Sequence, residues 1–229
     1  MRSAQNLAEL TPTRIAVMVS GHGRGSNMQA IIDGCRTQVI SGDVVLVIGT
    51  RKEAPAIARA ASAGIPVAVV RPPRDGADDV YAAKLLALLD EHRVDLICLA
   101  GYMRLLPSRV VSRYRWRIMN VHPGLLPAFG GRGMYGMSVH EAVLASGATE
   151  SGCTVHFVDE EYDHGSIILQ TRVPVLAGDT AETLAARILP HEHRTYVEAV
   201  RLFAEGRLRI RDGVVEVVER SVGNKDGGA

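Results

Sequence analysis

Four short apolar runs separated by helical stretches constrain this chain more than any other feature of it. Arg14 to Ser20, Val44 to Thr50, Ile65 to Val70 and Val94 to Ala100 are rich in Val, Ile and Leu with few polar breaks, as strands buried on both faces of a sheet must be. Between them Met28 to Cys35, Ala54 to Ala63 and Asp79 to His92 have helical spacing, and Gly64 closes the second, because glycine tolerates the left-handed turn at a helix end. Parallel neighbours need a crossover, usually a helix. The alternation therefore predicts an α/β fold on a doubly wound, mostly parallel sheet.

Open α/β sheets bind ligands at their carboxyl edge, and three segments fall there. Gly21 to Asn27 (G-H-G-R-G-S-N) joins the first strand to the first helix. Ser26 or Asn27 would cap that helix, whose free N–H groups favour a phosphate. Ser26 stands where a dinucleotide fingerprint needs its third glycine, and no Gly-Lys-Ser/Thr follows, which leaves a tight turn or a monophosphate cradle. Gly101 to Leu106 is the second segment and Asn120-Val121-His122-Pro123 the third. Residues two apart share a strand face, and Pro123 ends the strand because it has no N–H for the ladder. An amide beside an imidazole suits a reaction in which charge grows on a carbonyl oxygen while a proton moves. The plainer alternative is a polar pair that satisfies backbone groups of the next turn.

Beyond His122, Gly124 to Met137 is glycine-rich and carries Phe129 and Tyr135, which fits a lid and a plain surface excursion equally. Ser138 is expected to open a helix from Val139 to Ala145. Ser151 to Val158 and Ser166 to Val175 read as an antiparallel hairpin extension of the sheet, and the link between them, Asp159 to Gly165, has four carboxylates in five positions. These make a solvated turn, or one of them reaches His122, holds its ring and favours its protonated form. Thr180 to Glu205 is a long amphipathic helix and Arg209 to Val218 a short final hairpin. The expected organisation is one domain over 14–210, an N-terminal arm over 1–13, and a C-terminal strand with a disordered tail over 211–229.

Composition narrows the partners. With 22% charged residues and a formal net charge of +1, the chain has no basic surplus for nucleic acid or an anionic membrane. No apolar run approaches the roughly 18 residues of a membrane span. Cys35, Cys98 and Cys153 are odd in number and set in apolar stretches, so free, buried thiols in a reducing cytoplasm are expected rather than disulfides. His191-Glu192-His193 has the wrong spacing for ligands on one helix face, and H-E-x-x-H is absent, so no metal is expected.

Asn120 to Pro127 (N-V-H-P-G-L-L-P) resembles the N-[IV]-H-P-[SAG]-L-L-P signature of the folate-dependent formyltransferases. Ser26-Asn27-Met28-Gln29-Ala30, Ala100-Gly101-Tyr102-Met103-Arg104, and Val155-His156-Phe157-Val158 ending near Asp163 extend the likeness. The chain is similar in particular to the branch that serves purine synthesis. That implies transfer of a formyl group from the co-substrate 10-formyltetrahydrofolate to the amine of glycinamide ribonucleotide; a 10-formyltetrahydrofolate hydrolase, built on a similar trio, is the alternative. The resemblance also implies a Rossmann-like formyltransferase fold and catalytic roles for Asn120, His122 and Asp163. It implies a substrate phosphate site at Gly25, Ser26 and Asn27, a contact of Glu192 with the substrate amine, and a folate pocket at Met103, Arg104, Leu105 and Leu106. Asn120, Val158 and Asp163 would border that pocket. Relatives occur as monomers and dimers, and a homodimer is the expectation. Against the family pattern, the glycine loop carries two extra residues within His22 to Gly25, and Leu189 replaces a polar glutamine. Asp78 stands where an arginine touching folate is common, with Arg74 as a substitute from the same loop, and Phe129 to Met137 has the length of a plant-like branch.

Overall fold

In β1 (Thr13–Val19) the last five residues are almost fully buried and divide between two cores. Ile15, Val17 and Val19 pack with Met28 and Ile31 of α1 (Ser26–Arg36) and with Tyr196 and Val200, while Ala16 and Met18 meet Tyr81, Leu85 and Leu89. Side chains alternate across a strand, so helices on both faces bury both sets. The computed structural model describes residues 11–21, 23–73 and 78–219. The expected arm up to residue 10, Arg74, and the tail beyond Gly223 lie outside these.

The chain continues through β2 (Gly42–Gly49), α2 (Pro55–Ser62), β3 (Val67–Val69), α3 (Asp78–Glu91), β4 (Leu96–Leu99), α4 (Ser108–Arg113) and β5 (Ile118–His122). It then forms α5 (Met137–Ala145), β6 (Glu150–Phe157), β7 (Ile167–Pro174), α6 (Ala181–Ala204), which contributes Tyr196 and Val200, and β8 (Leu208–Arg211) with β9 (Val214–Val217). The seven-stranded sheet has the order β3-β2-β1-β4-β5-β6-β7. Strands β1 to β5 pair in parallel, and β6 and β7 extend the sheet antiparallel. This is the doubly wound sheet with an antiparallel hairpin extension that the sequence predicts. β8 and β9 form a separate two-stranded sheet, tied to the main sheet by the Ser166 hydroxyl donating to the Gly213 carbonyl. The order reverses between β1 and β4, which opens a crevice at their carboxyl ends.

Several local expectations are corrected. α1 begins at Ser26 with Gly25 as its N-cap in the left-handed region (φ 74°) and no side-chain cap, so neither Ser26 nor Asn27 caps it. α5 begins at Met137 behind Gly136, which places Ser138 inside the helix. α4 is an element that the sequence reading passes over. Thr180 does cap α6, accepting from the Thr183 N–H. The buried Tyr196 hydroxyl lies 3.1 Å from the Leu99 carbonyl and 2.9 Å from that of Met119. Donating to one at a time, it ties α6 to the two strand ends that frame the crevice.

Candidate active site

Asn120 and His122 stand at the end of β5 with β4 on one side and β6 on the other. The antiparallel register sets His156 opposite Asn120 and Thr154 opposite His122. The His156 Nδ1–H donates to the Phe157 carbonyl at 2.8 Å, leaving Nε2 to accept from the Asn120 amide at 3.1 Å. The tautomer is inferred from these partners. The His122 Nε2–H donates to the Phe129 carbonyl at 2.6 Å, and its Nδ1 faces the Asp163 carboxylate at 3.5 Å. The other Asp163 oxygen lies 3.7 Å from His156 Nε2. Asparagine, two imidazoles and one carboxylate therefore form a single polar cluster.

Asp163 is held there at a conformational cost. Its φ is 54°, uncommon for any residue but glycine, and its carboxylate accepts the Gly131 N–H at 3.0 Å. Gly130 permits that approach, since a Cβ there would lie 2.3 Å from Leu126 Cδ2 and 3.0 Å from Asp163 Cβ. Burial pushes the Asp163 pKa up, but the neighbouring His156 and His122 rings and the Gly131 N–H outweigh it, so Asp163 ionises below its ordinary value. For His122 burial dominates and lowers the pKa; Asp163 and the Phe129 carbonyl pull upward without overcoming it. The carboxylate expected to reach His122 is present and favours the protonated ring, while burial favours the neutral one and sets the net direction of the shift.

The cluster opens into a cavity of about 540 Å³. Met103, Arg104, Leu105, Leu106 and Val158 line one part of it, and Asn27 and Glu192 also face it. The Asn27 amide donates to Glu192 Oε2 at 2.8 Å, joining α1 to α6, while its Oδ1 is buried without a partner among the described residues. Burial raises the Glu192 pKa and the Asn27 amide pulls it back. Of the expected site residues only Gly25 and Ser26 do not line the cavity, as is also the case for Asp78 and Leu189. Asp78 instead opens α3, where an acid suits the helix dipole. Among the described residues no group of three or more His, Cys, Asp and Glu is placed to hold a metal.

Sequence reasoning missed two histidines. His156 enters the sequence reading only within Val155-His156-Phe157-Val158, with no role given to it; the signal that assigns it is the register opposite Asn120. His140, in the first turns of α5, is 3% exposed, lines the cavity, and has a buried Nδ1 with no partner among the described residues. Burial lowers its pKa. Nothing in its sequence neighbourhood marks it. The glycine-rich segment supplies Gly131 to Met137 to the cavity wall.

Comparison with known proteins agrees with this fold. A family model described as formyl transferase matches residues 13–200. The chloroplastic phosphoribosylglycinamide formyltransferase of Arabidopsis thaliana is 45% identical over 207 residues, covering 90% of this chain and 70% of the relative. The phosphoribosylglycinamide formyltransferase of Escherichia coli (strain K12) is 38% identical over 198 residues, 86% of this chain and 90% of that one. Among solved structures, glycinamide ribonucleotide transformylase 1 from Symbiobacterium toebii superposes with a TM-score of 0.85 at 44% identity, covering 95% of this chain and 100% of that one. With its N-V-H-P strand end, its acidic loop and a family match running from β1 into α6, the chain belongs to the formyl transferase family.

Proposed function

We propose that this chain transfers the formyl group of 10-formyltetrahydrofolate to the amine of N1-(5-phospho-D-ribosyl)glycinamide, yielding tetrahydrofolate and the N2-formyl nucleotide in de novo purine synthesis. The observation that carries this reading is one cavity that holds the Asn120, His122, His156 and Asp163 cluster together with the Asn27–Glu192 pair and the Met103 to Leu106 turn. The names of the relatives that match across most of the chain support it.

Gly25, Ser26 and Asn27 would offer the free N–H groups of α1 to the nucleotide phosphate. Glu192 would accept from the substrate amine. Met103, Leu105, Leu106 and Val158 form an apolar wall suited to a flat pterin, with Arg104 beside them for a carboxylate. The amine lone pair forms a C–N bond to the formyl carbon and the carbonyl electron pair moves onto oxygen. Asn120 and the His122 N–H stabilise that oxygen. Ionised Asp163 takes the amine proton, directly or through water, and passes it to the folate nitrogen as its bond to the formyl carbon breaks. A neutral imidazole still donates its N–H, and the growing oxyanion raises its affinity for a second proton. In this structure that N–H is held by Phe129, so its use on substrate requires the Phe129 carbonyl to give way.

Cys35, Cys98 and Cys153 are free, which suits the cytoplasm as the proposed compartment; among the described residues no helix is long and apolar enough to cross a membrane. The reading is tested by following tetrahydrofolate release from 10-formyltetrahydrofolate with and without the nucleotide. Release that needs the nucleotide supports it, and equal release in both arms would make the protein a hydrolase.

A further inference from the structure

The parallel register of β1 and β2 pairs Val19 with Gly49, so two residues further along each chain Gly21 and Arg51 come side by side at the glycine loop. A Cβ built on Gly21 would lie 2.6 Å from Arg51 Cδ, 3.1 Å from its Cγ and 3.2 Å from its Nε. The Arg51 stem therefore runs across Gly21, through the space a side chain at 21 would fill. Gly21 is not in the left-handed region, so the close approach of Arg51, rather than a turn, is what the absence of a Cβ serves. Arg51 is exposed, and among the described residues its guanidinium meets no carboxylate. The same loop ends at Gly25, where a Cβ would lie 2.8 Å from the Ala56 Cβ in the first turn of α2. The amino ends of α1 and α2 thus touch, and neither has a side-chain cap.

We propose that Arg51, laid across Gly21, is a binding residue for the phosphate of the nucleotide. The proposal rests on the phosphate site described under the proposed function and adds to it a cation from the loop between β2 and α2. A guanidinium presents paired N–H donors that match two phosphate oxygens, and it stays charged at any working pH. Gly21 is then a specificity determinant at one remove, since it makes room for the Arg51 stem. The arrangement selects a phosphate monoester over the corresponding riboside.

Binding of ribose 5-phosphate, measured by calorimetry at low ionic strength, tests this without relying on formyl transfer. Arg51→Ala is expected to weaken binding about tenfold, as loss of one charge-assisted contact does. It should raise the KM for the nucleotide by a similar factor with far less change in kcat. Gly21→Ala keeps Arg51 but puts a methyl group in its path; because the exposed stem can shift aside, binding should weaken measurably but by less than in Arg51→Ala. The double variant should bind no more weakly than Arg51→Ala alone, because residues acting through one contact are not additive. Arg51→Ala binding ribose 5-phosphate within twofold of the parent, or losses that multiply in the double variant, would overturn the proposal. A parent protein that binds ribose 5-phosphate but formylates no nucleotide would instead overturn the proposed function, and the titrations would still decide on Arg51.

Discussion

Replacing Thr154 by valine should loosen the segment that links the two halves of the polar cluster. Thr154 is fully buried in β6. Its hydroxyl accepts the Leu126 N–H at 3.1 Å and the Gln170 amide at 2.9 Å, and donates to the Gly124 carbonyl at 2.7 Å. It thereby pins the chain just after His122-Pro123 and just before the Phe129 carbonyl and Gly131 N–H that hold His122 and Asp163. Valine keeps the shape and removes the hydroxyl. Gln170 retains the Leu126 carbonyl at 3.1 Å, but the Leu126 N–H and the Gly124 carbonyl lose this buried partner. At about 1–3 kcal/mol for each orphaned group the loss is about 2–6 kcal/mol. In a chain of this size that lowers Tm by about 2–4 °C per kcal/mol. Thr154→Ser keeps the hydroxyl and should cost only about 1 kcal/mol for the missing methyl. Urea unfolding reads the difference through the single tryptophan, Trp116, which packs edge-on against Phe157 of the same strand at 5.5 Å. Valine and serine variants within about 0.5 kcal/mol of each other would refute the reasoning.

Other expectations follow from the same geometry. Asn120→Ala should lower kcat by roughly two to three orders of magnitude, the effect of removing one oxyanion donor, while leaving nucleotide affinity far less changed; steady-state kinetics showing a loss confined to KM would contradict its role. Asp163→Asn removes the charge that pulls the His122 pKa upward and leaves the burial that lowers it, so the His122 NMR titration should move further down, and an unmoved titration would count against the pairing. Burial lowers the pKa of His122, His140 and His193, so below the ordinary value near 6.5 the unfolded chain binds more protons than the folded one. Their contribution to stability is present above that pH and lost as pH falls toward the folded values. Urea unfolding at pH 7.5 and 5.5 should show this loss, and a smaller one in His122→Asn.

The parallel sheet was legible because buried strands such as Arg14 to Ser20 leave no polar residue unexplained, and because Gly64 and Pro123 mark ends by backbone chemistry alone. Asn120 and His122 were legible for the same reason: alternation plus a terminal proline fixes a shared face at a strand end. What faces them was not. His156 is assigned only by the register of β5 on β6, and His140 only by α5 folding back over the cavity, both long-range facts. Ser26 and Asn27 look like caps because short polar side chains usually serve a helix start; here Gly25 turns the backbone and Asn27 is committed to Glu192, 165 residues away. The carboxylate that favours a protonated His122 is visible in the sequence, while the burial that opposes it is not. α4 has six residues behind Pro107, too few for a period to emerge.

The most direct test of the account follows the formyl carbon itself, with 10-formyltetrahydrofolate labelled at that carbon, purified protein, and glycinamide ribonucleotide present or absent. The account predicts one labelled formyl group on the nucleotide for each tetrahydrofolate released, no release without the nucleotide, and loss of both in Asn120→Ala. Label appearing as formate at the same rate in either arm would contradict it.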